Sequence, residues 1–245
     1  MPLHVEMHDR VALLTVDDPE RKNALTLPLV DEIISTFDSL EADDNVGAVV
    51  ITGAGTVFCA GADTSALAAF SRDDSSDEER AQVAKVYDGF LRVLRSDLPT
   101  VAAVNGPAVG AGFNLALACD VRFAGPNARF DARFLRIGLH PGGGHLWLLE
   151  RLVGPQTAAA ITLFSTPLDA STAVARGLAW SQHSGDSLIN DAIEFAARAA
   201  QAPKPLSMRV ANTLRRAPWQ PTFDAAVQTE LDHQTWSFTQ GWFGK

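Results

Sequence analysis

Apolar positions along this chain follow two rhythms. Residues 3–8 and 11–16 alternate or run apolar and predict strands, whereas from Leu27 to Leu40 the apolar residues recur at helical spacing, with Ile33, Ile34 and Phe37 on one side. Val46 to Thr52 is an unbroken apolar run and predicts a buried strand. The alternation returns in Val101 to Asn105, in a helix starting near Gly112, and in a strand around Val121 to Ala124. Strands that are apolar throughout, separated by helices, predict a parallel sheet covered by helices. After Pro141 the pattern turns mostly helical, at 144–152, 155–163, 169–176, 187–201, 204–215 and 221–238. No linker or internal repeat divides the chain, so the reading is a core domain over 1–195 and a helical region over 196–245.

One stretch breaks the rhythm. Ser71 to Arg80 is polar and acidic without apolar periodicity, and predicts a solvated loop leading into a helix from Glu79 to Leu94. Composition narrows the function classes. A net charge of −9 argues against nucleic acid or an anionic membrane as the main partner, while leaving room for a local cationic patch that holds a phosphorylated ligand. No apolar run reaches the ~18 residues of a membrane helix. Met1 to Arg10 carries His, Glu and Asp where a signal peptide needs apolar residues, so the expected location is the cytoplasm. Cys59 and Cys119 have no metal-ligand or redox-motif spacing and read as small buried thiols; no metal site is expected, and Cys59 lacks a neighbouring base that would make it a nucleophile.

The chemistry concentrates in two turns. Phe58 to Asp63 and Ala108 to Asn114 each follow a predicted buried strand, and each places small residues where the chain turns toward a helix. Such turns leave backbone N–H groups pointing outward, and two that face one another can hold a carbonyl oxygen as it gains negative charge. A glycine-rich turn by itself has a plainer use, since glycine also serves positive φ and close packing.

Pro19 to Leu25, Gly53 to Asp63, Asn105 to Asp120 and Gly138 to Gly143 together resemble, in order and spacing, the successive motifs of the enoyl-CoA hydratase/isomerase (crotonase) superfamily, over roughly residues 5–215. The resemblance implies an α/β fold in which ββα units wind into a spiral, a helical C-terminal region, assembly into a trimer or hexamer, and an acyl-CoA ligand with no permanently bound cofactor. It assigns the oxyanion donors to the backbone N–H groups of Ala62 and Ala111. It also places Ala24, Ala60, Asp63, Thr64 and Ser65 along the ligand, and the nucleotide near Arg21 and Lys22, whose charges suit CoA phosphates or a surface ion pair equally. The stretch before Glu79 would lie over the acyl pocket as a lid.

Thioester enolate chemistry also needs an acid or base near Cα or Cβ. The two glutamates of the family's hydratases fall, by this resemblance, on Asn114 and Phe134. Asn hydrogen-bonds a water without taking its proton, and Phe does neither. His140 is the titratable group in the neighbouring Gly138 to Gly143 segment and is a candidate acid/base, against a plainer role in a turn; His145 is a weaker candidate. Asp131, on the face opposite Phe130, reads as a structural partner of Arg133 or Arg136, and Asp120 as a structural cap or pair. The expected activity is therefore a lyase or isomerase on an acyl-CoA rather than a standard hydratase, with a non-catalytic acyl-CoA carrier as the alternative.

Overall fold

The computed structural model describes residues 2–63 and 77–242. Its main sheet has six strands in the order β1 (Leu3–His8), β2 (Val11–Val16), β3 (Ala48–Gly53), β4 (Thr100–Val104), β6 (Val121–Ala124) and β9 (Ser181–Gln182). Only β1–β2 pair antiparallel; the remaining neighbours run parallel. A second sheet holds β5 (Pro107–Val109), β7 (Arg129–Asp131) and β8 (Leu168–Asp169).

Both faces of the central strands β2, β3, β4 and β6 are buried, which explains the unbroken apolar runs. Alternate residues of one strand enter different cores: Ala12, Leu14, Val49, Ile51, Ala102 and Val104 face α1 (Leu27–Ala42) and α3 (Ala111–Ala118), while Val11, Leu13, Val50, Val101 and Ala103 face α6 (Leu188–Ala200). On α6 the contact is made by Ala192, Ala196 and Ala200, whose small side chains let the helix lie close to the strands. Residue 195, the boundary drawn from the sequence, falls inside this helix.

The predicted helices form with small shifts. α2 spans Asp77–Leu94, so the last residues of the acidic stretch are helical rather than loop; the remainder of that stretch lies outside the described residues. The segments read as 144–152 and 155–163 are two halves of α4 (His145–Thr162), broken at Gly154 (φ 74°, ψ 167°) before Pro155. α5 (Ala170–Ala175), α7 (Lys204–Arg216) and α8 (Phe223–Thr239) complete the chain. Among the described residues no helix is long and apolar enough to cross a membrane.

Two cations, Lys204 buried and Arg215 half-buried, fasten the helical end to the core. Lys204 Nζ donates to the carbonyls of Leu40, Glu41 and Asp43 at the end of α1, where the helix dipole favours positive charge. Arg215 grips both oxygens of Asp120, whose Oδ2 also accepts from Thr100 N–H. Asp120 is thus a structural anchor, as its position after α3 suggests.

Candidate active site

α3 is the axis of the site. All eight of its residues are buried, and its two ends are treated oppositely. At the C-terminal end the buried Arg122 donates to the carbonyls of Cys119 and Ala116, answering the negative end of the dipole. At the N-terminal end Gly110 (φ 53°, ψ −116°) offers no side-chain cap, and the first turn's N–H groups have no intrahelical partner. A side chain at this positive φ would be strained, so glycine is required.

The other turn is pressed against this one. Phe58 and Cys59 N–H donate to Pro107 C=O, Val109 N–H donates to Cys59 C=O, and a Cβ placed on Gly112 would lie 2.1 Å from the Cys59 oxygen. A Cβ on Gly61 would lie 3.4 Å from Ala111 N, so Ala62 and Ala111 are brought side by side. Leu25 N–H donates to Gly61 C=O in the bridge between Leu25 and Ala62; in this parallel pairing it is Leu25 that bonds to either side, which leaves Ala62 N–H out of the ladder. Among the described residues neither Ala62 N–H nor Ala111 N–H has an acceptor.

The loop carrying Arg21 and Lys22 is tied to the same turn. Ala60 N–H donates to Lys22 C=O, Ala24 N–H donates to Arg21 C=O, and Lys22 and Asn23 both adopt positive φ. The fully buried Asn23 side chain donates to Ala54 and Val57 carbonyls and accepts from Asp18 N–H. Arg21 is exposed and hydrogen-bonded to Asp18 at 3.1 Å, an interaction that raises its pKa. Asp63 is half-buried beside the turn; Thr64 and Ser65 lie outside the described residues.

The two positions assigned to family glutamates converge on a third residue. Asn114 Nδ2 donates to Gly142 C=O at 3.0 Å, and its Oδ1 lies 2.6 Å from His145 Nδ1. The half-buried Phe134 has its ring near Gly110, about 3.8 Å from a Cβ placed there, and meets His145 edge-on at 5.0 Å between centroids. His140, by contrast, is exposed and hydrogen-bonds the carbonyl of Pro141 through Nδ1. From the sequence alone His140 is the stronger candidate of the two. The overlooked signal is spacing: His145, Leu148 and Leu149 share the buried side of α4.

Burial sets the protonation states. The His145 pKa is pushed down to about 4 by desolvation, so the imidazole is neutral at pH 7. Burial pushes both cysteine thiols up to about 12, and at neutral pH neither is a thiolate. Asp131 pairs with Arg133 at 3.2 Å and Arg136 at 3.9 Å, the structural role its position suggests.

The enoyl-CoA hydratase/isomerase family model matches residues 6–240. The chain belongs to this family. It is 48% identical over 214 residues to "Probable enoyl-CoA hydratase EchA14" of Mycobacterium tuberculosis, covering 87% of this chain and 81% of that one. It is 32% identical to the 2,3-dehydroadipyl-CoA hydratase of Escherichia coli over 97% of this chain and 89% of the relative. Among solved structures, a "probable enoyl-CoA hydratase/isomerase" from Mycobacterium abscessus superposes with a TM-score of 0.87 at 29% identity, covering 96% of this chain and 90% of that chain. A "putative enoyl-CoA hydratase" of Thermobifida fusca, in complex with CoA, superposes with a TM-score of 0.87 at 27% identity, covering 98% and 93%. The crotonase-like α/β architecture expected from the motifs is the one this family member has.

Proposed function

We propose that this family member binds an acyl-CoA thioester and stabilises its enolate, acting as a lyase or isomerase rather than as a standard hydratase. The observation that carries the reading is the pair of adjacent N–H groups of Ala62 and Ala111, without an acceptor among the described residues, one of them at the positive end of a buried helix. The ligand's nucleotide end lies by the loop from Arg21 to Ala24, with Ala60, Asp63, Thr64 and Ser65 along the pantetheine and thioester. CoA enters with the substrate, and no resident cofactor takes part. The CoA complex of the Thermobifida fusca neighbour supports this ligand class.

Asn114 and Phe134 argue against ordinary hydration, since each positioned acid/base contributes about 10² to 10⁴ in rate. The protein is expected to bind butyryl-CoA in calorimetry while hydrating crotonyl-CoA barely above background. Turnover of crotonyl-CoA at tens per second or more, the ordinary range for enzymes, would overturn the exclusion of hydratase activity. A protein that binds acyl-CoA but transforms none of a broad panel would instead be a carrier, a reading that the same two residues favour.

Assembly and location follow as part of this proposal. Phe223 is 82% exposed, Leu214 67% and Trp219 65%, an apolar outlay on the C-terminal helices that a monomer would leave in water. A cytoplasmic homotrimer or hexamer is expected; light scattering that finds a stable monomer at micromolar concentration would contradict it.

A further inference from the structure

The hydrogen bonds around Asn114 fix which nitrogen of His145 carries the proton. Gly142 C=O can only accept, so Asn114 must present Nδ2–H to it and Oδ1 to the imidazole. Nδ1 of the neutral ring therefore bears the hydrogen, and Nε2 presents a bare lone pair. That nitrogen is buried and, among the described residues, has no hydrogen-bond partner. A buried acceptor left unmatched carries a desolvation cost, and such sites mark functional candidates. The ring stands between the two positions from which carboxylates are missing: it is bonded to Asn114 and packed edge-on against Phe134.

We propose that His145 is the catalytic base of this site, with Asn114 as the positioning residue that holds Nε2 toward the substrate. The proposal rests on the thioester reading above. Nε2 takes a proton from Cα of the bound thioester. The C–H electron pair moves into the enolate, whose oxygen is held by Ala62 N–H and Ala111 N–H. The imidazolium then returns the proton to Cα or, in a β,γ-unsaturated chain, to Cγ, which shifts the double bond into conjugation. One base on one face suffices for this transfer, whereas adding water across a double bond also requires a site for the water. The acyl chain reaches Nε2 by displacing the Phe134 ring, which is half-buried and precedes the exposed residues Leu135 to Ile137.

Among the described residues, the groups packed around the imidazole are uncharged. Phe113 and Asn114 come from α3 and Phe134 from the segment after β7, while the Tyr87 hydroxyl of α2 closes on Gly142 just ahead of the ring. Asp131, Arg133 and Arg136, on the strand and segment that carry Phe134, pair with one another. With burial as the cause of its low pKa, His145 stays in the basic form across the physiological range and has about the basicity of a carboxylate.

The test is exchange of the Cα hydrogens of butyryl-CoA in D2O, followed by mass spectrometry beside calorimetric binding. Wild-type protein is expected to catalyse exchange, and His145→Gln, which keeps a polar side chain but cannot take the proton, to lower it by about 10²-fold or more while leaving butyryl-CoA affinity within about threefold. The wild-type rate is expected to stay flat from neutral pH down to about 5.5 and to fall toward the His145 pKa of about 4. Asn114→Asp sets a carboxylate on Nδ1–H, so this acid limb moves to higher pH. Undiminished exchange in His145→Gln, absence of exchange in wild type, an unmoved limb in Asn114→Asp, or an inflection near the ordinary imidazole value of about 6.5 each overturns the assignment. The pH profile needs no variant and decides the matter should His145→Gln fail to fold. Failure of wild type to bind butyryl-CoA would instead remove the thioester reading, and this inference with it.

Discussion

Replacing Ala111 by proline is expected to lower butyryl-CoA α-exchange by roughly 10²- to 10³-fold, the loss typical for one oxyanion donor, with the fold retained. Ala111 is the first residue of α3, where a helix tolerates proline because the N–H there has no intrahelical partner. Gly110 before it lacks the Cβ through which proline restricts its predecessor. Asn114 N–H keeps its bond to Gly110 C=O, so the helix start survives. The substitution thus removes one hydrogen from the site and puts ring carbon in its place. Ala111→Gly, which keeps the N–H, should be mild. Exchange together with a melting curve reads both parts, and a folded proline variant with full activity would show that this N–H is no donor.

Gly112→Ala should act in the opposite way, on stability first. Its Cβ would lie 2.1 Å from the Cys59 oxygen and 2.7 Å from the Cys59 carbonyl carbon, both backbone atoms that cannot rotate aside. The two turns must separate, and overpacking of this kind costs about 3 kcal/mol or more. For a chain of this size that corresponds to a melting midpoint lower by roughly 6–12 °C. Ala62 and Ala111 would move apart with the turns, so exchange should fall even in the folded fraction. An unchanged midpoint in scanning calorimetry would mean that the turns do not meet as described.

The long elements were legible because burial on two faces leaves an apolar run and burial on one face leaves a helical stripe, as in Val46 to Thr52 and Leu27 to Leu40. β5, β8 and β9 are not legible because two or three residues are too few to establish an alternation. The two turns were legible as a pair of small-residue segments, and the motif resemblance located Asn114 and Phe134 on the chain. What could not be read was where His145 points. That depends on α2: a Cβ on Gly142 would strike the Tyr87 hydroxyl at 2.1 Å, and one on Gly143 the Phe90 ring at 2.3 Å. These contacts press the glycine turn inward just before α4 begins. Side chains distant in sequence set that approach, and no local periodicity reports it.

The contact between the two turns is made of main chain: carbonyls, amides and glycine carbons, with Asn23 joining the loop that holds Lys22 to the residues before Phe58. An electrostatic device built this way is insulated from drift in side-chain identity, because its geometry is inherited with the backbone path and the few glycines that permit it. The rim is not so protected. Asn114, Phe134 and His145 act through their side chains, so a change at any of them changes what the site offers a bound ligand. Descendants of one ancestral turn pair can therefore diverge in what they do to a bound carbonyl compound while the polarising centre itself stays fixed.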